Sequence, residues 1–168
     1  SDTDPYAAYA GAIGSLKGGK HGGANHQVRE MQAEMKENVK DWENDDEIAG
    51  YLAKIVRKEA YDHTGLVYGM GHAVYTKSDP RAVILKRYAG ELAKDTEFER
   101  EFNLLTAIER LSPEVILDVK GTKKDMCANV DMYSGFVYSM LGIPDSLFTP
   151  LFCCARMAGW SAHRFEEL

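Results

Sequence analysis

A histidine and an arginine lie nine residues apart in the stretch GMGHAVYTKSDPR, residues 69–81. His72 is flanked by glycine and alanine, so the backbone on either side of the imidazole can come close to a ligand. Arg81 follows Asp79-Pro80, and its planar guanidinium can hold a carboxylate through two hydrogen bonds. An arginine in the first turn of a helix opposes the helix dipole. That unfavourable placement favours a ligand-binding role over the ordinary role of a surface arginine.

Two further stretches combine a functional side chain with small residues. In LKGGKHGGANHQV, His21 lies between glycine pairs just before a helix, where an imidazole and backbone amides can converge on a ligand oxygen. An exposed histidine in a flexible connection between helices is the ordinary alternative. In CANVDMYSGFVYSMLGIP, Asp131 lies among apolar residues at a predicted helix start, where an aspartate is also a common capping residue.

Two histidines, one carboxylate and arginines together suit one chemical task. A carboxylate can take a proton from a carbon beside a carbonyl group. A neutral imidazole can hydrogen-bond the enolate oxygen that then forms, and arginines can hold a dicarboxylate. The set predicts a site for proton abstraction next to a carbonyl group.

The chain that must position these side chains is predicted to be almost entirely helical. An aspartate followed by a proline, as in Asp4-Pro5 and Asp79-Pro80, is a typical helix start, and glycines such as Gly18-Gly19 end a helix. Apolar residues between these signals recur with the helical period. The predicted helices cover residues 5–16, 28–35, 44–56, 80–92, 98–111, 130–141 and 149–168, and a separate short turn opens at 112–114. Because strand-like alternation is nearly absent, the predicted fold class is all-α.

The composition narrows the classes of ligand. The chain has 168 residues, of which 45% are hydrophobic and 27% charged, as in a globular domain. A formal net charge of -6 argues against general affinity for nucleic acid or anionic membranes, so small molecules or proteins are the expected partners. The three cysteines form no CxxC pattern, which predicts neither a disulfide framework nor a metal site and favours a cytoplasmic location. The longest apolar-rich run, 132–144, is shorter than the roughly 18 residues that span a bilayer.

The chain resembles the C-terminal part of citrate synthases in four stretches that occur in the same order: GGKHGGAN, GMGHAVYTKSDPR, ANVDMYSGFVY and LGIPDSLFTPLFCCARMAGWSAHRFEE. Several motifs in a fixed order are more specific than one short pattern. The resemblance implies a small, CoA-facing helical domain over residues 21–144. It also implies that residues 1–20 and 145–168 are helices of a large domain, in a longer protein that acts as a homodimer.

The same resemblance implies a role for each catalytic candidate in condensing acetyl-CoA with oxaloacetate to citrate and CoA. His21 would hydrogen-bond the thioester carbonyl oxygen as acetyl-CoA becomes an enol. Asp131 would take the methyl proton. His72 would hydrogen-bond the ketone oxygen of oxaloacetate and so polarise the carbon that is attacked.

Substrate-binding residues also follow from the resemblance. Arg81 and Arg156 would hold the carboxylates of oxaloacetate. Main-chain groups of Gly69, Met70 and Gly71 would contact CoA, which is a substrate and product, and no tightly bound cofactor is expected. Citrate synthases carry a further substrate-binding histidine and arginine outside these stretches, so the 168-residue chain alone is expected to be inactive.

Two alternatives remain open at this point. A methylcitrate synthase would use propionyl-CoA through the same residues. A non-catalytic CoA-binding or subunit-interaction module would keep the helical scaffold without the chemistry. The complete set of His21, His72, Asp131, Arg81 and Arg156 favours an enzyme, because a module without catalysis has no physical need for all five.

Overall fold

The computed structural model describes residues 3–18, 22–121 and 125–167, and the predicted catalytic residue His21 lies outside these ranges. The described residues form seven α-helices and one short 3₁₀ helix and contain no β-strand, so the predicted all-α class is confirmed. In chain order the elements are α1 (Pro5–Leu16), α2 (Ala24–Asn38), α3 (Asp45–Val56), α4 (Pro80–Ala93), α5 (Glu99–Lys120), α6 (Asp131–Met140), the 3₁₀ helix (Asp145–Leu147) and α7 (Phe148–Glu166).

Side-chain caps fix where α1, α3 and α4 begin. The Asp4 carboxylate accepts a hydrogen bond from the backbone N–H of Ala7 at 3.0 Å, and Asn44 caps α3 in the same way. Asp79 caps α4, with proline in the first turn. Each such cap stabilises a helix start by about 1 kcal/mol. The cap of α4 also fixes the position of Arg81, the second residue of that helix.

The predicted turn at 112–114 is wrong, because α5 continues through Pro113 without interruption. A proline inside a helix costs about 3 kcal/mol through its missing N–H and its ring clash. On the same helix Leu104, Leu105 and Ile108 are completely buried, and each buried side chain of this size contributes about 1.5–3 kcal/mol. Packing of α5 therefore outweighs the local helix-breaking signal.

The hydrophobic core lies among α2, α3, α4, α5 and α6. Its largest fully buried apolar side chains are Met31, Met35, Ile48, Leu52, Ile55, Leu104, Leu105, Ile108, Met132, Tyr133 and Phe136. Within the described ranges, α1 and α7 contribute no residue to this core. They contact each other instead, through a 2.8 Å hydrogen bond between the hydroxyls of Tyr9 and Ser161. The predicted domain boundaries, 1–20, 21–144 and 145–168, stay a prediction.

None of the described helices is long and apolar enough to cross a membrane. The described His, Cys, Asp and Glu side chains include no group of three or more placed to hold a metal ion. The cysteines are free thiols, with Cys127 and Cys153 half-buried and Cys154 exposed.

Candidate active site

A short antiparallel contact brings the loop that carries His72 against the segment that precedes Asp131. Met70 pairs with Ala128 in an isolated β-bridge. Two backbone hydrogen bonds flank the bridge, one from Gly71 N–H to the carbonyl oxygen of Cys127 (2.8 Å) and one from Asn129 N–H to that of Gly69 (2.9 Å). Two stretches that are far apart in the sequence thus lie side by side.

The glycines of this loop are required by its backbone conformation. Gly69 and Gly71 have φ angles of +86° and +88°, in the left-handed region that other residues enter only at a cost. At Gly69 a side chain would also collide with α6, because a Cβ there would lie 3.1–3.3 Å from atoms of Met132. The loop can therefore approach the start of α6 only with glycine at this position.

The hydrogen bonds of His72 determine its tautomer. Its Nδ1 accepts hydrogen bonds from the backbone N–H groups of Val74 at 3.0 Å and Tyr75 at 3.1 Å. Because backbone N–H groups can only donate, Nδ1 carries no proton and the proton of the neutral ring lies on Nε2. The ring packs against that of Tyr75, with 4.9 Å between centroids. The loop therefore holds His72 with Nε2–H as its free donor.

Asp79 holds the guanidinium of Arg81 in a fixed plane. Nε donates to one carboxylate oxygen at 3.0 Å and Nη2 to the other at 2.7 Å. Asp79 is only 1% exposed, and its burial by itself raises the carboxyl pKa. The hydrogen bonds from Arg81 outweigh this effect, so the pKa of Asp79 lies below its ordinary value. Sequence analysis identified Asp79 only as a helix start and missed its second role.

His72 and Arg81 converge on one point. His72 Nε2 and Arg81 Nη2 are 3.2 Å apart, and both carry protons. Two donors at this distance can be satisfied by one acceptor between them or by two acceptors side by side, such as carbonyl and carboxylate oxygens. The hydrogen bond with Asp79 is the main reason that the pKa of Arg81 is raised, and the Asp131 carboxylate makes a smaller contribution. Asp131 is thus within electrostatic range of the same point.

Asp131, the first residue of α6, lines a small cavity of about 30 Å³ together with Gly22, Asn25, Ser134, Tyr138, Phe148, Thr149 and Phe152. Gly22 directly follows His21 in the chain. On α7, the guanidinium of Arg156 lies over the ring of Phe152, 5.5 Å from its centroid. Arg156 is thereby linked to the cavity that Asp131 lines. The meeting of His21 and Arg156 with His72, Arg81 and Asp131 at one site stays a prediction.

A second, larger cleft of about 220 Å³ borders the glycine loop. Met70, Gly71 and His72 line it, and Lys120 contributes an ammonium group. Lys120 Nζ donates to the carbonyl oxygen of Gly65 at 3.1 Å. Of the three residues predicted to contact CoA, Met70 and Gly71 line this cleft. Gly69 is not among the lining residues and lies close to Met132.

Comparison with known proteins identifies the family. Residues 1–168 match the family described as citrate synthase, C-terminal domain. The chain is 39% identical over 168 residues to the citrate synthase of Synechocystis sp., covering 99% of this chain and 38% of that protein. It is 36% identical over 165 residues to the 2-methylcitrate synthase of Shewanella oneidensis, covering 98% of this chain and 39% of that protein. The chain thus spans about two fifths of the length of the curated relatives it matches.

Solved structures show the same similarity in three dimensions. Citrate synthase from Thermotoga maritima superposes with a TM-score of 0.72 at 33% identity, covering 98% of this chain and 40% of that chain. A ternary complex of carboxymethyl coenzyme A and oxaloacetate with citrate synthase from Thermoplasma acidophilum gives a TM-score of 0.67 at 30% identity, covering 95% of this chain and 39% of that chain.

Proposed function

This chain belongs to the citrate synthase family, and on that basis we propose that its protein condenses acetyl-CoA with oxaloacetate to form citrate and CoA. The observation that carries the proposal is the 3.2 Å approach of His72 Nε2 to Arg81 Nη2. In oxaloacetate a ketone oxygen and an oxygen of the neighbouring carboxylate lie side by side. Two adjacent donors, one neutral and one cationic, match this pair of acceptors.

Arg81 keeps enough donors for a substrate. A guanidinium has about five N–H groups. One on Nε and one on Nη2 donate to Asp79, so the others remain for further acceptors. Asp79 also holds the guanidinium plane in place before the substrate binds. The arginine is thus preorganised, and this lowers the entropic cost of binding.

In the proposed reaction, the Asp131 carboxylate removes a proton from the methyl group of acetyl-CoA. The resulting enolate carbon attacks the ketone carbon of oxaloacetate and forms the new carbon–carbon bond, while the electron pair of the C=O bond moves onto the ketone oxygen. The hydrogen bond from His72 Nε2–H and the charge of Arg81 would stabilise the negative charge on that oxygen, which then takes a proton from solvent. His21 would hydrogen-bond the thioester oxygen in the enolate, and Arg156 would hold the second carboxylate. Water then hydrolyses the thioester of citryl-CoA and releases citrate and CoA.

The cleft lined by Met70, Gly71 and His72 would accept part of CoA. The position of the cleft supports this assignment, because the short loop that lines it also carries His72, the predicted hydrogen-bond donor to oxaloacetate. Acetyl-CoA would bind as substrate and CoA would leave as product, with no tightly bound cofactor. Homodimer formation and a cytoplasmic location remain predictions.

A second candidate, methylcitrate synthesis from propionyl-CoA, is supported by the 36% identity to a 2-methylcitrate synthase. The test expresses the complete gene and measures free thiol release with oxaloacetate and either acetyl-CoA or propionyl-CoA. The thioester with the higher kcat/KM identifies the substrate, and His72→Ala should reduce the rate by about 10²- to 10⁴-fold. Absence of thiol release with both thioesters would instead favour a non-catalytic CoA-binding or subunit-interaction module.

A further inference from the structure

The side chain of Asn129 joins the two halves of the site. Its Nδ2 donates to the carbonyl oxygen of Gly71 at 2.9 Å. Its Oδ1 accepts a hydrogen bond from the backbone N–H of Asp131 at 3.0 Å. The first group belongs to the peptide unit that leads into His72, and the second belongs to the peptide unit that leads into Asp131. One amide therefore contacts the backbone directly before both residues.

The orientation of this amide is determined by its partners. A backbone carbonyl can only accept a hydrogen bond and a backbone N–H can only donate one. The amide nitrogen must therefore face Gly71 and the oxygen must face Asp131. Only a side chain with a donor and an acceptor at this spacing can make both bonds.

From these contacts we propose that Asn129 is a positioning residue that fixes the His72 loop relative to the catalytic base Asp131. The inference rests on the proposed function, in which His72 and Asp131 act on the two substrates of one reaction. The main-chain bridge between Met70 and Ala128 holds the two segments together without this side chain. The amide adds control over the peptide plane next to His72, which glycine on its own leaves free to rotate.

The position of a reacting group strongly affects the rate, and a displacement of about 1 Å can lower it about 10²-fold. Asn129→Ala removes both hydrogen bonds. Asn129→Asp keeps the acceptor for the Asp131 N–H but places a carboxylate oxygen against the carbonyl oxygen of Gly71. A protonated carboxyl group would donate to that carbonyl and restore the lost bond.

The experiment uses the protein expressed from its complete gene and measures steady-state kinetics. Asn129→Ala and Asn129→Asp should lower kcat about 10- to 100-fold at pH 8, while KM for oxaloacetate stays within about threefold. The rate of Asn129→Asp relative to wild type should rise about fivefold or more between pH 8 and pH 5.5, as the introduced carboxyl takes up a proton. Comparing each rate with that of wild type at the same pH cancels the pH effects that both proteins share.

The matched control is Asn38→Asp, because Asn38 also donates from Nδ2 to a backbone carbonyl oxygen, that of Glu34, at 2.8 Å on the surface of α2. Its relative rate should not change with pH. A kcat within about twofold of wild type for Asn129→Ala and Asn129→Asp, or a pH-independent loss in Asn129→Asp, would overturn the proposal. If Asn129→Ala does not fold, the pH dependence of Asn129→Asp decides.

Amide hydrogen exchange separates this inference from the proposed function. The N–H of Asp131 should exchange faster in Asn129→Ala than in wild type, and Asn129→Asp should retain its protection. That pattern in a protein without condensing activity would support the positioning contact and overturn the proposed function. Unchanged exchange at Asp131 in an active enzyme would support the proposed function and overturn the positioning contact.

Discussion

The carboxylate of Asp79 accepts hydrogen bonds from both Nε and Nη2 of Arg81, two residues later in the chain. This two-point contact needs a planar group, and the ammonium of lysine cannot reproduce it while also facing His72. Arg81→Lys should therefore raise KM for oxaloacetate about 10- to 100-fold, which is the loss of one charge-assisted hydrogen bond. The change is measured by steady-state kinetics with oxaloacetate as the varied substrate.

Arg87→Lys is the control for that substitution, since Arg87 lies on the same helix and its side chain is 63% exposed beside Glu91. Its KM should match that of wild type. An unchanged KM for Arg81→Lys would remove Arg81 from substrate binding.

Replacing Asp131 by asparagine should separate catalysis from binding. The amide has the same size and can keep its place at the start of α6, but it cannot take a proton from carbon. We expect kcat to fall about 10²- to 10⁴-fold, while the dissociation constant of oxaloacetate, measured by calorimetry, changes little. Turnover close to that of wild type would show that another group is the base.

Gly69 and Gly71 form a matched pair for testing strain in the loop. Both have nearly the same positive φ, but a Cβ at Gly71 would meet no atom within 4 Å, whereas one at Gly69 would press on Met132. Gly71→Ala should destabilise the protein by about 1–2 kcal/mol through backbone strain alone. Gly69→Ala should lose a further 1–3 kcal/mol or so through overpacking. Urea unfolding measures both, and equal losses would show that contact with Met132 is unimportant.

The raised pKa of Tyr51 predicts that the protein loses stability at alkaline pH. Burial, together with its hydrogen bond to Glu34, raises the pKa of its hydroxyl to about 12 from 10.0. Between these values the unfolded chain has released the proton and the folded chain has kept it, so stability falls as pH rises through this window. Tyr51→Phe removes this proton, and its stability should fall less between pH 10 and pH 12 than that of wild type.

Urea unfolding at several pH values between 8 and 12 gives the comparison for Tyr51→Phe. Tyr6→Phe is the control, because Tyr6 is 86% exposed. Equal pH dependence in wild type and Tyr51→Phe would contradict the assignment.

Local signals in the sequence predicted where a helix begins when a capping residue and a proline fix that start. Asp4-Pro5 and Asp79-Pro80 begin helices as expected. The prediction at Pro113 failed because burial of one face of α5 outweighs the cost of a proline, and burial depends on partners that a local pattern does not contain.

The sequence indicated candidate residues for the site, but it did not indicate the contacts that position them. Residue types and the resemblance pointed to His72, Arg81 and Asp131. The side chains of His72 and Arg81 approach to 3.2 Å, and the Asp131 carboxylate contributes to the raised pKa of Arg81, while the shared site of all three stays a prediction. The second role of Asp79 depends on how its side chain and that of Arg81, two residues later, are oriented, and the sequence does not specify those orientations. The role of Asn129 depends on a contact with Gly71 that joins positions 58 residues apart, so no spacing within either motif indicates it.

That long separation has a consequence for how the protein folds. The bond between Asn129 and Gly71 closes a loop that contains all of α4 and α5. Closing a long loop costs chain entropy, which is regained only after the enclosed helices have packed. Individual helices should therefore form early and the arrangement of His72 next to Asp131 late, so a newly made chain passes through states that are already helical and still unable to bind substrate.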